Sequence, residues 1–254
     1  MAVTSAGRRG VQSVDRAFEL LQLVARADGG AGLTVLAASS GLPVPTIHRI
    51  LRSLVATGHV VQLASRRYAL GPQMIGLGAS AARTLETWAQ PHLADLAERS
   101  GETANLAVLE RRQVVYLAQA TSSRHNVRMF TEVGSRVSLH CTGVGKALLA
   151  HLPPATVRDI VTSTGMQART RRTITDPEAL ADELTHVRSA GYAMDDEEQE
   201  RGVRCVAVVV PGESSTAISV SGPASRLTRT AVRRLAPMVS ETARDLAAGL
   251  VSPR

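Results

Sequence analysis

The sequence predicts an α+β protein in three parts: an N-terminal winged helix-turn-helix over residues 10–71, a linker helix over 72–85, and a C-terminal domain of antiparallel sheet flanked by helices over 86–254. Three observations predict it. Apolar residues recur every three or four positions through two segments before residue 57, the repeat of helices with one buried face, with a short glycine-bounded helical segment between them. Two short β-like runs follow directly, close enough to pair as a hairpin. After Thr103 that repeat gives way to alternating and β-branched runs interleaved with helical segments, the pattern of an α+β domain.

The first helix is expected from Val11 to Ala27, with Val14, Ala17, Phe18, Leu21, Val24 and Ala25 on its buried face. Gly29, Gly30 and Gly32 end it. Thr34 is placed to cap a short helix over Val35–Ser40, which Gly41 closes. Leu42-Pro43-Val44-Pro45 turns the chain into a third helix, Pro45–Ala56, where a proline fits the first turn because the amides there lack helical partners. Ile47, Ile50, Leu51, Leu54 and Val55 form its apolar stripe; Thr46, His48, Arg49, Arg52 and Ser53 lie opposite. The hairpin runs are His59–Leu63 and Arg67–Leu70, joined by Ala64-Ser65-Arg66.

From Pro72 to Ser100 the reading is helical, with Pro91 starting a new helix or kinking the old one, and this stretch is a candidate dimerisation surface. Strands are expected at Thr103–Leu109 and Gln113–Ala118, with Glu110-Arg111-Arg112 as their turn. Helices are expected at Thr142–His151, Pro177–Ala190 and Thr228–Leu246. Cys205–Val210 has the composition of a buried strand, and Thr216–Val220 is its hairpin partner.

Composition narrows the function classes. Only six of the 254 residues are Phe, Trp or Tyr, so a platform of stacked aromatic rings for single-stranded nucleic acid is excluded. No apolar run reaches a membrane-spanning length, and the first ten residues lack the apolar stretch of a secretory leader; a cytoplasmic protein without membrane contact is expected. Cys141 and Cys205 make neither a disulfide framework nor a structural zinc site, the seven histidines show no ligand spacing, and no metal or cofactor is expected. The formal charge is +7, and 28 of the 29 basic residues are arginine. Residues 1–70 carry +5 of that excess, where a polyanion would be met.

A helix of the third helix's width fits the major groove of double-stranded DNA. Arginine pairs bidentately with guanine, so Arg49 and Arg52, helped by Thr46 and His48, are the candidate base readers. Arg66 and Arg67 at the hairpin tip are candidate phosphate contacts, which position a domain without reading sequence. Arg8 and Arg9 form either a loose arm or a plain charged tail.

The whole chain resembles the IclR family of bacterial transcriptional regulators. The resemblance rests on Val11–Ala17 (VQSVDRA), Gly41–Leu54, Arg67–Gly71 (RYALG), Leu139–Ala150 (LHCTGVGKALLA), Gly191–Val206 (GYAMDDEEQERGVRCV) and Ala217–Arg226 (AISVSGPASR), in the family's order. It implies a winged helix-turn-helix followed by a GAF-like effector-binding domain, acting as a dimer or dimer of dimers on an inverted-repeat operator, more often as a repressor. It also implies a small organic effector, a carboxylate or an aromatic acid, held by loop residues Gly143 and Val144 and by Asp195, Cys205, Ser219 and Ser221, with Met129 and Val137 as apolar lining. The chemistry is consistent: amides at a helix start hold a carboxylate, and two serines two apart on a strand face one side. One departure is Val208-Val209-Val210-Pro211-Gly212, where family members commonly carry a proline, an aliphatic, an aromatic and an aspartate. The other is the pair of prolines before Thr46.

Two rival readings stand beside this one: a small-molecule enzyme using Cys205 with Asp195, and a non-specific DNA-associated protein whose C-terminal half only oligomerises. Gly143-Val144-Gly145-Lys146 is not a phosphate loop, since His140 stands at the earlier glycine and Ala147 at the magnesium-binding hydroxyl. His140-Cys141 is expected on a strand, where neighbours point to opposite faces and make no nucleophile pair.

Overall fold

The computed structural model describes residues 11–27, 29–124, 132–212 and 215–249. The chain divides into two compact units, Met1–Arg83 and Thr84–Arg254.

In the first unit α1 (Gln12–Ala25), α2 (Leu33–Ser40) and α3 (Val44–Ala56) precede a hairpin of β1 (Val60–Gln62) and β2 (Tyr68–Leu70). Leu20, Leu21, Val24, Leu36, Ile47, Leu51, Val60 and Tyr68 make its core. The register Val60↔Leu70, Val61↔Ala69, Gln62↔Tyr68 is closed by Leu63 N–H on the Arg67 carbonyl at 2.8 Å, with Arg66 in the left-handed region at φ 61°. Ala31 adds a bridge to Tyr68, and this explains Gly30: its φ is +90° and a Cβ there would lie 2.9 Å from the Tyr68 carbonyl oxygen.

Several expectations change. Val14 and Phe18 are 50% and 61% exposed and Ala25 and Val55 are exposed too, because α1 turns Leu20 inward and the apolar stripes of α1 and α3 are wider than one small core can cover. Thr34 is no cap, since α2 begins two residues earlier than expected, at Leu33, with Gly32 at its N-cap and no side-chain hydrogen bond there.

Helix α4 (Gln73–Trp88) runs across the division between the units, and α5 (Gln90–Ser100) starts afresh with Pro91 in its first turn. The second unit is built on a six-stranded antiparallel sheet of order β5-β4-β3-β8-β7-β6. Its strands are β3 (Thr103–Glu110), β4 (Gln113–Ala120), β5 (Arg136–Val137), β6 (Ala193–Asp196), β7 (Val203–Val209) and β8 (Thr216–Pro223). Side chains alternate between two cores. Val206 and Val208 pack with α5 and with α9 (Arg229–Ala248) on one face. Cys205 and Ala207 pack on the other with α6 (Gly143–Ala150), α7 (Pro154–Thr164) and α8 (Pro177–Ala190).

The sequence reading assigned neither α7, nor the two-residue β5, nor β6. His140 and Cys141 lie in a turn rather than a strand; the His140 ring is engaged with the Gln167 carbonyl at 3.1 Å, and the Cys141 thiol donates to Gln199 Oε1 at 2.9 Å. Among the described residues no helix is long and apolar enough to cross a membrane.

Candidate functional site

Two surfaces, one in each unit, gather the chemistry. On α3 the core takes Ile47 and Leu51, which leaves His48, Arg49 and Arg52 exposed and Thr46 half-buried on the remaining face. Gly41, at φ 67°, supplies the left-handed residue that turns α2 into α3. Arg66 and Arg67 are exposed on the hairpin. Among the described residues no carboxylate pairs with any of these four arginines, so their charge faces solvent unneutralised. Arg8 and Arg9 lie outside the described residues.

The second surface is a row across three strands. The registers Asp195↔Cys205 and Cys205↔Ser221 set these side chains next to one another on β6, β7 and β8. Helix α6 starts directly above them: a Cβ on Gly143 would lie 2.9 Å from Cys205 Sγ, and one on Gly145 would overlap the Leu139 carbonyl. Thr142 caps the helix by accepting from the Gly145 N–H at 3.1 Å, which leaves the amides of Gly143 and Val144 outside the helical ladder.

These elements enclose a cavity of about 100 Å³. Of the residues expected to hold or line an effector, Gly143, Asp195, Cys205, Ser221 and Val137 line it. Val144 and Ser219 do not. The Val144 side chain is fully buried in the α6–α8 core, and the Ser219 hydroxyl sits one register row away, accepting from Asn105 Nδ2 at 3.4 Å. Met129 lies outside the described residues. Sequence reasoning missed Tyr116, Thr142 and Gln199 in the lining and the buried Asn105, which also donates to Ser221 at 3.3 Å. The inward alternation of β4 could have flagged Tyr116; nothing local marks Gln199.

Asp195–Glu198, an acidic run that could have been solvated, is held inside. Asp195, Asp196 and Glu198 are all buried, and Asp195 Oδ1 accepts from the Glu198 and Gln199 amides at 2.7 and 3.3 Å. Burial pushes the Asp195 carboxyl up to about 7 against the pull of the Glu198 amide, and the Glu198 carboxylate adds to the rise. Burial likewise pushes the Cys205 and Cys141 thiols up to about 12 each, far from the thiolate a nucleophile needs at neutral pH. Tyr116, also buried, is raised as well.

Behind Asp195, Lys146 is 1% exposed between Glu183 at 2.8 Å and Glu198 at 2.5 Å. Burial works against its ammonium, but Glu198 and Glu183 outweigh it and hold the pKa above the usual lysine value. Two of its three N–H donors are therefore held by carboxylates, an arrangement unlike that of a phosphate-loop lysine.

The sequence profile for the bacterial transcriptional regulator IclR C-terminal domain matches residues 79–248, and that for the IclR helix-turn-helix domain matches residues 13–64. The HTH-type transcriptional regulator BhcR of Paracoccus denitrificans is 37% identical, covering 96% of this chain and 89% of that protein. The transcriptional repressor IclR of Escherichia coli is 35% identical, covering 96% of this chain and 92% of its own. Among solved structures, an IclR-type regulator from Silicibacter sp. TM1040 superposes with a TM-score of 0.76 at 30% identity, covering 95% of this chain and 98% of that one. An IclR homolog from Microbacterium hydrocarbonoxydans, solved in complex with 4-hydroxybenzoate, gives 0.63 at 27% identity over 94% and 99%.

Proposed function

The chain belongs to the IclR family of bacterial transcriptional regulators, DNA-binding proteins with a ligand-binding C-terminal domain, and from that premise we propose that it is a cytoplasmic repressor released from an inverted-repeat operator by a short organic acid. The observation that carries the DNA half is the unneutralised basic face of α3 and the hairpin. Arg49 and Arg52, with His48 and Thr46, read base edges, while Arg66 and Arg67 hold phosphates. Two copies are needed to place two such helices on an inverted repeat. The apolar side chains left in water on the first unit, Val14 and Phe18 on α1 with Ile75 and Leu77 on α4, support their burial between copies.

The effector half rests on the cavity over Asp195, Cys205 and Ser221, with the free amides at the start of α6 placed to receive a carboxylate. At about 100 Å³ the cavity is smaller than the ~150 Å³ space that admits benzene in an engineered core, which favours an acid of a few carbons over an aromatic one. An enzyme built on Cys205 is disfavoured: its thiol is held protonated, and the relatives are named as regulators. Ligand binding alters operator affinity only through a preference for one arrangement of the two DNA-binding units.

The test is fluorescence anisotropy of the full-length protein on its own upstream duplex against a scrambled duplex, with and without a panel of two- to four-carbon hydroxy and keto acids. Tight, salt-sensitive binding to the native duplex alone, weakened by one of the acids, is expected. Equal affinity for both duplexes, with every acid, overturns the proposal.

A further inference from the structure

A second and larger concavity lies on the far side of the Asp195 segment. It is a cleft of about 750 Å³ along β6, the edge strand of the sheet, between α8 and α9. That volume falls in the ~300–1,000 Å³ range of sites for drug-sized ligands. Its construction follows helix and strand periodicity. Glu183, His186, Val187 and Ala190 are one stripe of α8, spaced three, four and seven residues apart. Tyr192, Met194 and Asp196 alternate along and beside β6 onto one side. Arg229 and Arg233, four residues apart, lie on one face in the first turns of α9.

The charges are layered. The carboxylates lie inside: the side chains of Asp196, Glu198 and Glu183 are 12%, 7% and 26% exposed. Each already has cations. Arg204, Arg172 and Arg229 converge on Asp196, and Lys146 holds Glu183 and Glu198. The arginines lie outside, with Arg172 and Arg229 at 52% and 65% exposed. Arg229, which lines the cleft, spends its Nε and one terminal nitrogen on Asp196, which leaves the other terminal nitrogen without a partner among the described residues. Arg233 has no ion-pair or hydrogen-bond partner among the described residues. Behind these guanidiniums Val187, Ala190, Tyr192 and Met194 supply an apolar wall.

We infer that this cleft is a second ligand site, distinct from the cavity over Cys205, that takes an organic anion with an apolar body, such as an aryl or long-chain acyl carboxylate of about ten to twenty non-hydrogen atoms. The carboxylate lies against Arg233 and Arg229, and the hydrocarbon lies on the α8 wall. An inorganic anion would leave that wall wet, and a cation would meet the guanidinium layer first.

The experiment is isothermal titration of the full-length protein with 2-naphthoate, and with 2-naphthylmethanol as its uncharged counterpart. It is run on the parent chain, on Arg233→Glu and on Ala190→Trp. Arg233 is exposed and unpaired and Ala190 is the exposed last residue of α8, so both variants keep the fold, checked by the emission of Trp88. Saturable 2-naphthoate binding is expected, at least tenfold tighter than the alcohol, weakened about tenfold or more by either substitution, since a lost charged hydrogen bond or a blocked wall each costs that much. Absence of saturable binding overturns the inference. So does binding that both variants leave unchanged, which would put the naphthoate elsewhere, or binding in which the alcohol matches the acid.

Discussion

Replacing Asp195 with asparagine tests the electrostatics of the small cavity most directly. The side chain is 4% exposed and accepts two backbone hydrogen bonds through one oxygen, and asparagine keeps that acceptor while removing the charge. The charged and titratable groups packed around it are Glu198, Lys146, Cys205, Cys141 and Tyr116. The carboxyl has its ordinary value at 3.8 and sits at about 7 in the fold. Between those values the folded chain keeps a proton that the unfolded chain has lost. Stability therefore falls as pH rises from about 4 to about 7 and levels off above. The whole gap is worth at most about 4 kcal/mol, and the two pH units from 5 to 7 carry about 2–3 kcal/mol of it. Asp195→Asn has no such proton to lose. Its stability relative to the parent should thus grow by about 2–3 kcal/mol between pH 5 and pH 8. Urea unfolding followed by the fluorescence of Trp88 measures this. Trp88 is the only tryptophan in the chain, and its indole N–H donates to the Leu246 carbonyl at 3.3 Å, so it reports on the second unit. A difference between the two proteins that stays constant from pH 5 to pH 8 would refute the reasoning.

Four further outcomes are expected. Arg49→Ala should cost about 1–3 kcal/mol at one operator base pair and leave non-specific binding nearly intact, whereas Arg67→Ala should weaken every duplex alike; competition binding over a set of single-base operator variants separates them. Lys146→Met strands Glu183 and Glu198 without their shared cation and should destabilise the second unit by about 3–5 kcal/mol at pH 8, measured by the same urea series; a loss below 1 kcal/mol would contradict the pairing drawn for them. Gly145→Ala forces a methyl group into the Leu139 carbonyl and should lower the thermal midpoint by several degrees, read by circular dichroism. Phe18→Glu should shift the protein toward monomer in sedimentation velocity at micromolar concentration, while an unchanged sedimentation coefficient would remove α1 from the interface between copies.

What was legible in the sequence followed local rules. Pro177–Ala190 reads off directly because Asp176 caps it, Pro177 occupies its first position and Gly191 ends it with a left-handed residue. The hairpins at Arg66 and Arg111 sit where the apolar runs break. The misses have non-local causes. Strand β6 is short, and its two aspartates disguise it as solvated loop; only the arginines arriving from residues 172, 204 and 229 make Asp196 tolerable there. Phe18 looks like core because its spacing is right, and spacing alone does not tell a face buried within one chain from one left exposed on its surface. In the pocket, Ser219 and Ser221 are correctly on one side of β8, yet only one of them reaches the cavity, because strand register decides which row meets the start of α6.

The stretch Asp195–Gln199 is a party wall. Within β6 Asp195 furnishes one room and its neighbour Asp196 the other; past the end of the strand Gln199 lines the first and Glu198 the second. Removing or adding a single residue within β6 would not shorten a loop but exchange the furniture of both rooms at once. Point substitution is the route left open for re-tuning either compartment, and any side chain that grows toward one is anchored to a strand whose next residue faces the other.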